Sequence, residues 1–463
     1  MPFGETLIFI DGITEIFRCM LRSIKYLNVI WHENFSPGAT MRISVVGGGY
    51  VGLVSSVCLA EMGHQVDLIE IAPEKVASIN SGLPPLYEKG LQDLLSANIE
   101  GHLNATTNYD CVKRSDISLI CVGTPPGIDG SADLSMVLSA SRSIGQSLRG
   151  SNSYHVVAVK STVPPGTTSN LVMPEILRTS QRCPSDVGFV MNPEFLREGL
   201  AIEDFMHPDR IVIGSNDAQS GDFFEAIYDG LNCPRIRTGL CAAEMIKYTS
   251  NAFLATKISF SNEIGNICKL LGIDVYEVME GVGLDHRIAP HFLNAGAGFG
   301  GSCFPKDVRA LIQMFESAGE ESRLLKSVME INDQQPLRMI DLLEKKIGPA
   351  RGKRIAVIGL AFKDGTDDVR DSRAIPVIEE LLYRKAEIRA YDPMANESMR
   401  RIFPEIEYCP SPKEALREAD GCFIMTEWPQ FEALDHEFDL MRSRVIIEGR
   451  RVLKCRDAEG TCW

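Results

Sequence analysis

From Arg42 onward the chain sets short apolar runs between glycine turns and amphipathic stretches. Ile43-Ser44-Val45-Val46 reads as a buried strand, and an apolar helix pattern follows its glycine turn to about Glu61. Gln65-Val66-Asp67-Leu68-Ile69 forms the next strand and ends at Glu70. Further strands are predicted at 117–122 and 156–159, each running into a polar or proline-containing turn. A last strand for this unit is predicted at 188–191. Strands alternating with helices predict an α/β fold built on a parallel sheet.

Met245, Ile246, Phe253, Ile258, Phe260, Ile264, Ile267 and Leu271 then predict one long helix over 242–271. Such a helix links two domains and offers an oligomer surface. A second α/β unit opens with a strand at 354–358, a turn at 359–363, a helix over 373–383 and a strand at 387–391. It lacks a GxGxxG loop, so it reads as a Rossmann-type fold that holds no dinucleotide. The expected organisation is a dinucleotide-binding domain at 41–235, a central helical domain at 236–335 and a C-terminal Rossmann-like domain at 350–455. Residues 1–40 stand apart. They are weakly amphipathic and carry acids at Glu5, Asp11 and Glu15, unlike a secretory signal. Either translation starts at Met41, just before the first strand, or the leader is a helical extension that docks on the body or a partner.

Composition narrows the class. The 463 residues are 44% hydrophobic and 24% charged, as expected of an ordinary globular protein. A formal charge of -15 argues against non-specific nucleic-acid binding and against a polybasic membrane anchor. No run of eighteen apolar residues exists, so no membrane span is expected. The 13 cysteines show neither CxxC pairs nor zinc-ligand spacing, which points to reduced thiols in a cytoplasmic protein with no metal site.

The first glycine turn carries chemistry. Gly47-Gly48-Gly49-Tyr50-Val51-Gly52 fits GxGxxG between a strand and a helix, and Glu70 stands at the end of the following strand. In that setting the glycines admit a pyrophosphate to the helix N-terminus, while the acid binds ribose hydroxyls and repels a 2′-phosphate. The cofactor is therefore NAD. Thr124 and Thr162 follow later strands, at the carboxyl edge where a cofactor passes; turn stabilisation is the alternative role for Thr124.

The most reactive segment is Gly298-Phe299-Gly300-Gly301-Ser302-Cys303-Phe304-Pro305-Lys306-Asp307. Pro305 suits the first turn of a helix, so Cys303 faces the positive end of a helix dipole with Lys306 close by. Both favour the thiolate. The glycines admit a ligand to the backbone, and Asp307 falls one turn after the thiol. Cys303 reads as a nucleophile.

These segments, with CVGTP (121–125), KSTVPPG (160–166), NPEFLREG (192–199), KYTSNAFLATKISFSNEI (247–264) and GLAFKDGTDDVRDS (359–372), resemble the UDP-glucose/GDP-mannose dehydrogenase family from Met41 to about Val452. The resemblance implies a homo-oligomeric enzyme that oxidises a nucleotide sugar's primary alcohol to a carboxylate with two NAD molecules. It implies that Asp307 and Thr162 position a water for alcohol deprotonation, aided by Lys247, and that Cys303 carries a thiohemiacetal and then a thioester. Lys247 and Asn251 are implied at the oxyanion, and Glu194 as the base for thioester hydrolysis. Glu198 is implied near the nicotinamide, and Lys75 and Arg370 near the NAD phosphates or ribose, with Lys306 also on the cofactor side. Phe195, Leu196, the stretch 295–301 with Phe299 and Gly300, Phe362, Lys363 and Arg450 are implied at the UDP-sugar, which the C-terminal unit binds. Arg287 is implied to reach a neighbouring subunit. UDP-glucose is the expected substrate, because the GDP-mannose branch tends toward Leu where this chain has Phe304; UDP-N-acetylhexosamines come third. A two-electron 3-hydroxyacid dehydrogenase shares the NAD domain and the long helix but has no use for Cys303.

Overall fold

The computed structural model describes residues 39–453 and 458–463. The chain forms two compact units, one of residues up to 125 with 132–247, the other of 126–131 with 248–463.

The first unit is built on an eight-stranded sheet. Its strands are β1 (Arg42–Val46), β2 (Gln65–Ile69), β3 (Leu103–Thr106), β4 (Ile117–Ile120), β5 (His155–Val159), β6 (Val187–Met191), β7 (Ile211–Ser215) and β8 (Arg235–Thr238). They lie in the order β3-β2-β1-β4-β5-β6-β7-β8. Every pairing is parallel except that of β6 with β7. β4, β5 and β6 are buried along their whole length, as strands covered by helices on both faces must be. The neighbours β1 and β4 run to opposite edges of the sheet after their carboxyl ends, which opens a crevice at this switch point. Met191 does not end the sheet. β7 and β8 extend it, and β3 closes the other edge. The edge strands read Leu-Asn-Ala-Thr and Arg-Ile-Arg-Thr, without the apolar run that marks the interior strands.

In the second unit, β9 (Arg354–Ile358), β10 (Glu387–Tyr391), β11 (Glu407–Tyr408), β12 (Gly421–Ile424), β13 (Ile446–Glu448) and β14 (Ala458–Gly460) form a parallel sheet. Its order, β11-β10-β9-β12-β13-β14, repeats that of the first six strands of the chain. The helices Phe304–Ser317 and Arg323–Ile347 also belong to this unit. The helix Leu240–Leu271 is continuous for 32 residues, and the division between the units falls within it.

The expected leader lies outside the described residues except for its last two. Among the described residues, no helix is long and apolar enough to cross a membrane. Ten of the described cysteines take part in no disulfide.

Candidate active site

In the first unit, the glycine turn is shaped by the sheet beneath it. A Cβ on Gly47, whose φ is +108°, would stand 2.8 Å from the Cys121 carbonyl oxygen beyond β4; one on Gly52 would stand 1.8 Å from the Gly47 oxygen. Only glycine fits there. The Gly48 N–H donates to Glu70 Oε2 at 3.0 Å and the Ala72 N–H to Oε1 at 3.0 Å, so Glu70 is built into the turn. Gly49 faces open space, with no described atom within 4 Å of a Cβ placed on it. It caps the helix Tyr50–Glu61, whose first turn has neither a side-chain cap nor an acid. Its leading amides remain available to an anion. The half-buried Val51 lies in the first turn of this helix, and the exposed Lys75 lies in the first turn of the helix Pro73–Asn80. A narrow turn, uncapped amides and a carboxylate at the end of β2 fit the pyrophosphate and ribose of NAD.

Two side chains tie this region together. The Tyr50 hydroxyl donates to Glu88 and accepts the Gly199 N–H at 3.2 Å, while Glu88 takes the Gly199 and Ala201 amides at 2.6 and 3.0 Å. Burial and then Glu88 push the Tyr50 hydroxyl pKa up. Tyr50 thus fastens the segment after β6 to the glycine turn. The Thr124 hydroxyl donates to the Thr162 carbonyl at 2.9 Å, so it ties two strand-end loops together.

Beyond β6 the chain presents Glu194. Its Oε1 lies 2.8 Å from Lys247 Nζ, and its Oε2 accepts the Leu196 N–H at 2.7 Å. Both members of the pair are buried, at 8% and 4% exposure. Burial pushes the carboxyl upward, but Lys247, the Leu196 amide and the charge of Lys160 outweigh it and hold Glu194 below its ordinary value. The Phe195 ring stacks under the Arg210 guanidinium at 3.9 Å, with Lys247 Nζ 5.6 Å from its centroid. Phe195, Leu196 and Glu198 are half-buried.

In the second unit, Cys303 is exposed and caps the helix Phe304–Ser317, which has Pro305 in its first turn. The Asp307 N–H donates to the Cys303 carbonyl at 2.9 Å, and the Ser302 hydroxyl lies 3.5 Å from Sγ. Asp307 is 1% exposed. Its Oδ2 accepts from Asn251 Nδ2 at 2.6 Å and its Oδ1 from Lys306 Nζ at 2.6 Å. The Lys306 charge is thereby paired with Asp307 next to the helix terminus that carries the thiol.

The glycine-rich stretch before Cys303 is closely packed. A Cβ on Gly300 would stand 2.2 Å from the Asp371 carbonyl oxygen, and one on Gly301 would stand 2.8 Å from the Phe362 ring. These glycines serve the chain's own close packing. Phe299 is a core side chain at 3% exposure, packed edge-on to Phe304, and Asn332 engages both its N–H (2.6 Å) and its carbonyl (3.1 Å). Arg450 donates to the carbonyls of Gly298 and Gly449 and lies 3.4 Å from Glu427, while Lys363 Nζ lies 5.8 Å from the Phe362 centroid. The exposed Arg370 and Arg287 pair with their neighbours Asp368 and Asp285, each at 2.6 Å.

One buried cation escaped the sequence reading. Lys160 Nζ, at 4% exposure, donates to Asn192 Oδ1 at 2.9 Å and sits between the rings of Phe205 and Tyr228. The Tyr228 hydroxyl closes the network on Asn192 at 2.6 Å. A lysine directly after the apolar β5 was the signal available in sequence.

Residues 41–232 match the NAD binding domain of the UDP-glucose/GDP-mannose dehydrogenase family, 241–334 its central domain and 356–455 its UDP binding domain. The UDP-glucose 6-dehydrogenase AglM of Haloferax volcanii is 45% identical over 90% of this chain and 98% of its own length. The structure of a UDP-glucose dehydrogenase from Pyrobaculum islandicum superposes with a TM-score of 0.88 at 42% identity, covering 94% of this chain and all of that one. A UDP-D-ManNAc dehydrogenase structure from Pyrococcus horikoshii gives 0.81 at 28% identity, over 91% of this chain and 99% of its own. With all three domains matched in order along the sequence, the chain belongs to the UDP-glucose/GDP-mannose dehydrogenase family.

Proposed function

We propose that this protein oxidises the primary alcohol of UDP-glucose to a carboxylate, yielding UDP-glucuronate. The observation that carries this reading is the exposed Cys303 thiol at a helix N-terminus, because the second oxidation cannot proceed without such a nucleophile. An aldehyde carbon gives up a hydride only after something has added to it. Two NAD molecules, held in succession by the Gly47–Gly52 turn and Glu70, would each take up one hydride.

The chain's own groups do the rest. Asp307, aligned by Asn251 and Lys306, takes the alcohol proton through a water, and Thr162 helps to orient that water. Cys303 Sγ then bonds to the aldehyde carbon, whose oxygen becomes the oxyanion of a thiohemiacetal. Loss of the second hydride leaves a thioester on Cys303. Lys247 and Asn251 stabilise the oxyanion at each tetrahedral stage. Glu194, held ionised, removes a proton from water, which cleaves the C–S bond and restores the thiol. Glu198, Lys75 and Arg370 belong to the cofactor side of this reading. Phe195, Leu196, Phe362, Lys363 and Arg450 belong to the sugar-nucleotide side.

The working form is a homodimer or larger homo-oligomer. Phe253, Phe260 and Ile267, seven residues apart on the long helix, are 63%, 49% and 48% exposed and form an apolar stripe suited to a second copy. Arg287 is assigned to reach that copy. An exposed catalytic thiol also calls for a reducing compartment, in keeping with the cytoplasm.

The test is NADH formation with UDP-glucose, GDP-mannose, UDP-N-acetylhexosamines and a 3-hydroxy acid. Two NADH per UDP-glucose consumed, with the fastest turnover on that sugar, is the expected result. Preference for another sugar overturns the substrate, and one NADH per substrate overturns the thioester route.

A further inference from the structure

One turn before Lys247, the long helix carries Glu244, which is wholly buried. Its Oε2 accepts the Gly166 N–H at 2.5 Å. Its Oε1 accepts the Thr168 N–H at 2.8 Å and the Thr168 hydroxyl at 2.6 Å. Gly166 has a φ of +90°, a left-handed turn that aims its amide at the carboxylate. Thr168 opens a single π-helical turn, Thr168–Val172, that has no side-chain cap of its own. Glu244 therefore caps that turn from a different helix, where its charge meets the positive end of the turn.

The same segment is anchored at its other end by the Thr124 hydroxyl on the Thr162 carbonyl. Between the anchors, Val163 is fully buried and Pro164-Pro165 restricts the backbone. Lys247, three residues beyond Glu244, holds Glu194 on the loop after β6. Neighbouring positions on one helix thus bind the loops after β5 and β6 by charges of opposite sign.

We propose that Glu244 is a positioning residue, which holds the segment from Thr162 to Thr168 in fixed register with the helix that carries Lys247. This rests on the reading that Thr162 serves the first oxidation. A buried carboxylate satisfied by two amides and a hydroxyl allows that segment little freedom, and placement errors near 1 Å are enough to slow a reaction about 10²-fold.

Glu244→Gln keeps the shape and one acceptor oxygen but turns an amide N–H toward a backbone donor. It should lower kcat by about 10–100-fold while leaving KM for UDP-glucose within about twofold. The isotope effect with UDP-glucose deuterated at the oxidised carbon should rise, because hydride loss becomes limiting. Thr168→Ser should behave like the parent, Thr168→Val should be partly impaired, and Glu244→Gln with Thr168→Val should be no slower than Glu244→Gln alone. Thermal unfolding and Thr162→Ala are measured in parallel. Normal turnover and an unchanged isotope effect in Glu244→Gln overturn the proposal, as does a loss that tracks only the folded fraction. An impaired Glu244→Gln beside a fully active Thr162→Ala supports the positioning of the segment and overturns the role given to Thr162.

Discussion

Lys247 Nζ lies 2.8 Å from Glu194 Oε1, and the two side chains are nearly excluded from solvent. The pair joins the first turns of the long helix to the loop after β6. It gives each charge the partner that burial demands, since an unpaired ion in that place costs several kcal/mol. One contact thereby serves stability and keeps ionised the carboxylate proposed as the base for thioester hydrolysis.

Lys247→Met should destabilise the protein by about 3–5 kcal/mol at neutral pH, by stranding a buried carboxylate. The sign of the pH dependence follows. In the parent Glu194 sits below its ordinary value, so the pair's stabilisation is present above that value and is lost as pH falls through the lowered one. Without Lys247, burial dominates and raises the carboxyl pKa, so the variant loses stability as pH rises. The gap between variant and parent should widen from about pH 4 to about pH 7. Urea midpoints across that range check this, and a gap independent of pH would show that the pair is not ionised.

Glu194→Gln separates hydrolysis from oxidation. Loss of a general base slows its step by about 10²–10⁴-fold, so thioester cleavage should become limiting. Mixing with NAD and UDP-glucose should give a burst of about two NADH per site. Intact mass spectrometry should then find a substrate-sized adduct on Cys303, absent from Cys303→Ala. Ordinary turnover, or a stall without an adduct, removes Glu194 from the role of base.

Initial rates with the two nicotinamide cofactors should favour NAD, because Glu70 stands where a 2′-phosphate would have to fit. Glu70→Ala removes that repulsion and also the anchor of the Gly48 amide. Its KM for NAD should rise roughly tenfold while discrimination against NADP relaxes. A parent that prefers NADP would refute the assignment.

Placing a charge on the apolar stripe tests the assembly. Phe253→Glu with Phe260→Glu should shift sedimentation at micromolar concentration from dimer or larger to monomer and reduce activity with it. A parent that sediments as an active monomer would rule out both the interface and the shared role of Arg287.

Local pattern alone determined much of this protein. The apolar runs of β1, β2, β4, β5 and β6, the GxGxxG turn with Glu70, and the long helix were legible because each depends on neighbours in sequence. Cys303 at its helix terminus was legible for the same reason, since Pro305 and the glycines mark the boundary. Tertiary structure decided the partnerships. Nothing in the spacing of Glu194 and Lys247, or of Asn251 and Asp307, says that they touch, because each pair is brought together only by the packing of its own unit. The glycines at 300 and 301 read as room for a ligand, yet their missing side chains make room for Asp371 and Phe362, distant in sequence. Lys160 and Glu244 were passed over because a buried charge becomes visible only when burial is known. The edge strands were missed because an exposed edge needs no apolar run. Sequence carries the local code, whereas long-range pairing of charges and close backbone approach exist only once the chain has folded.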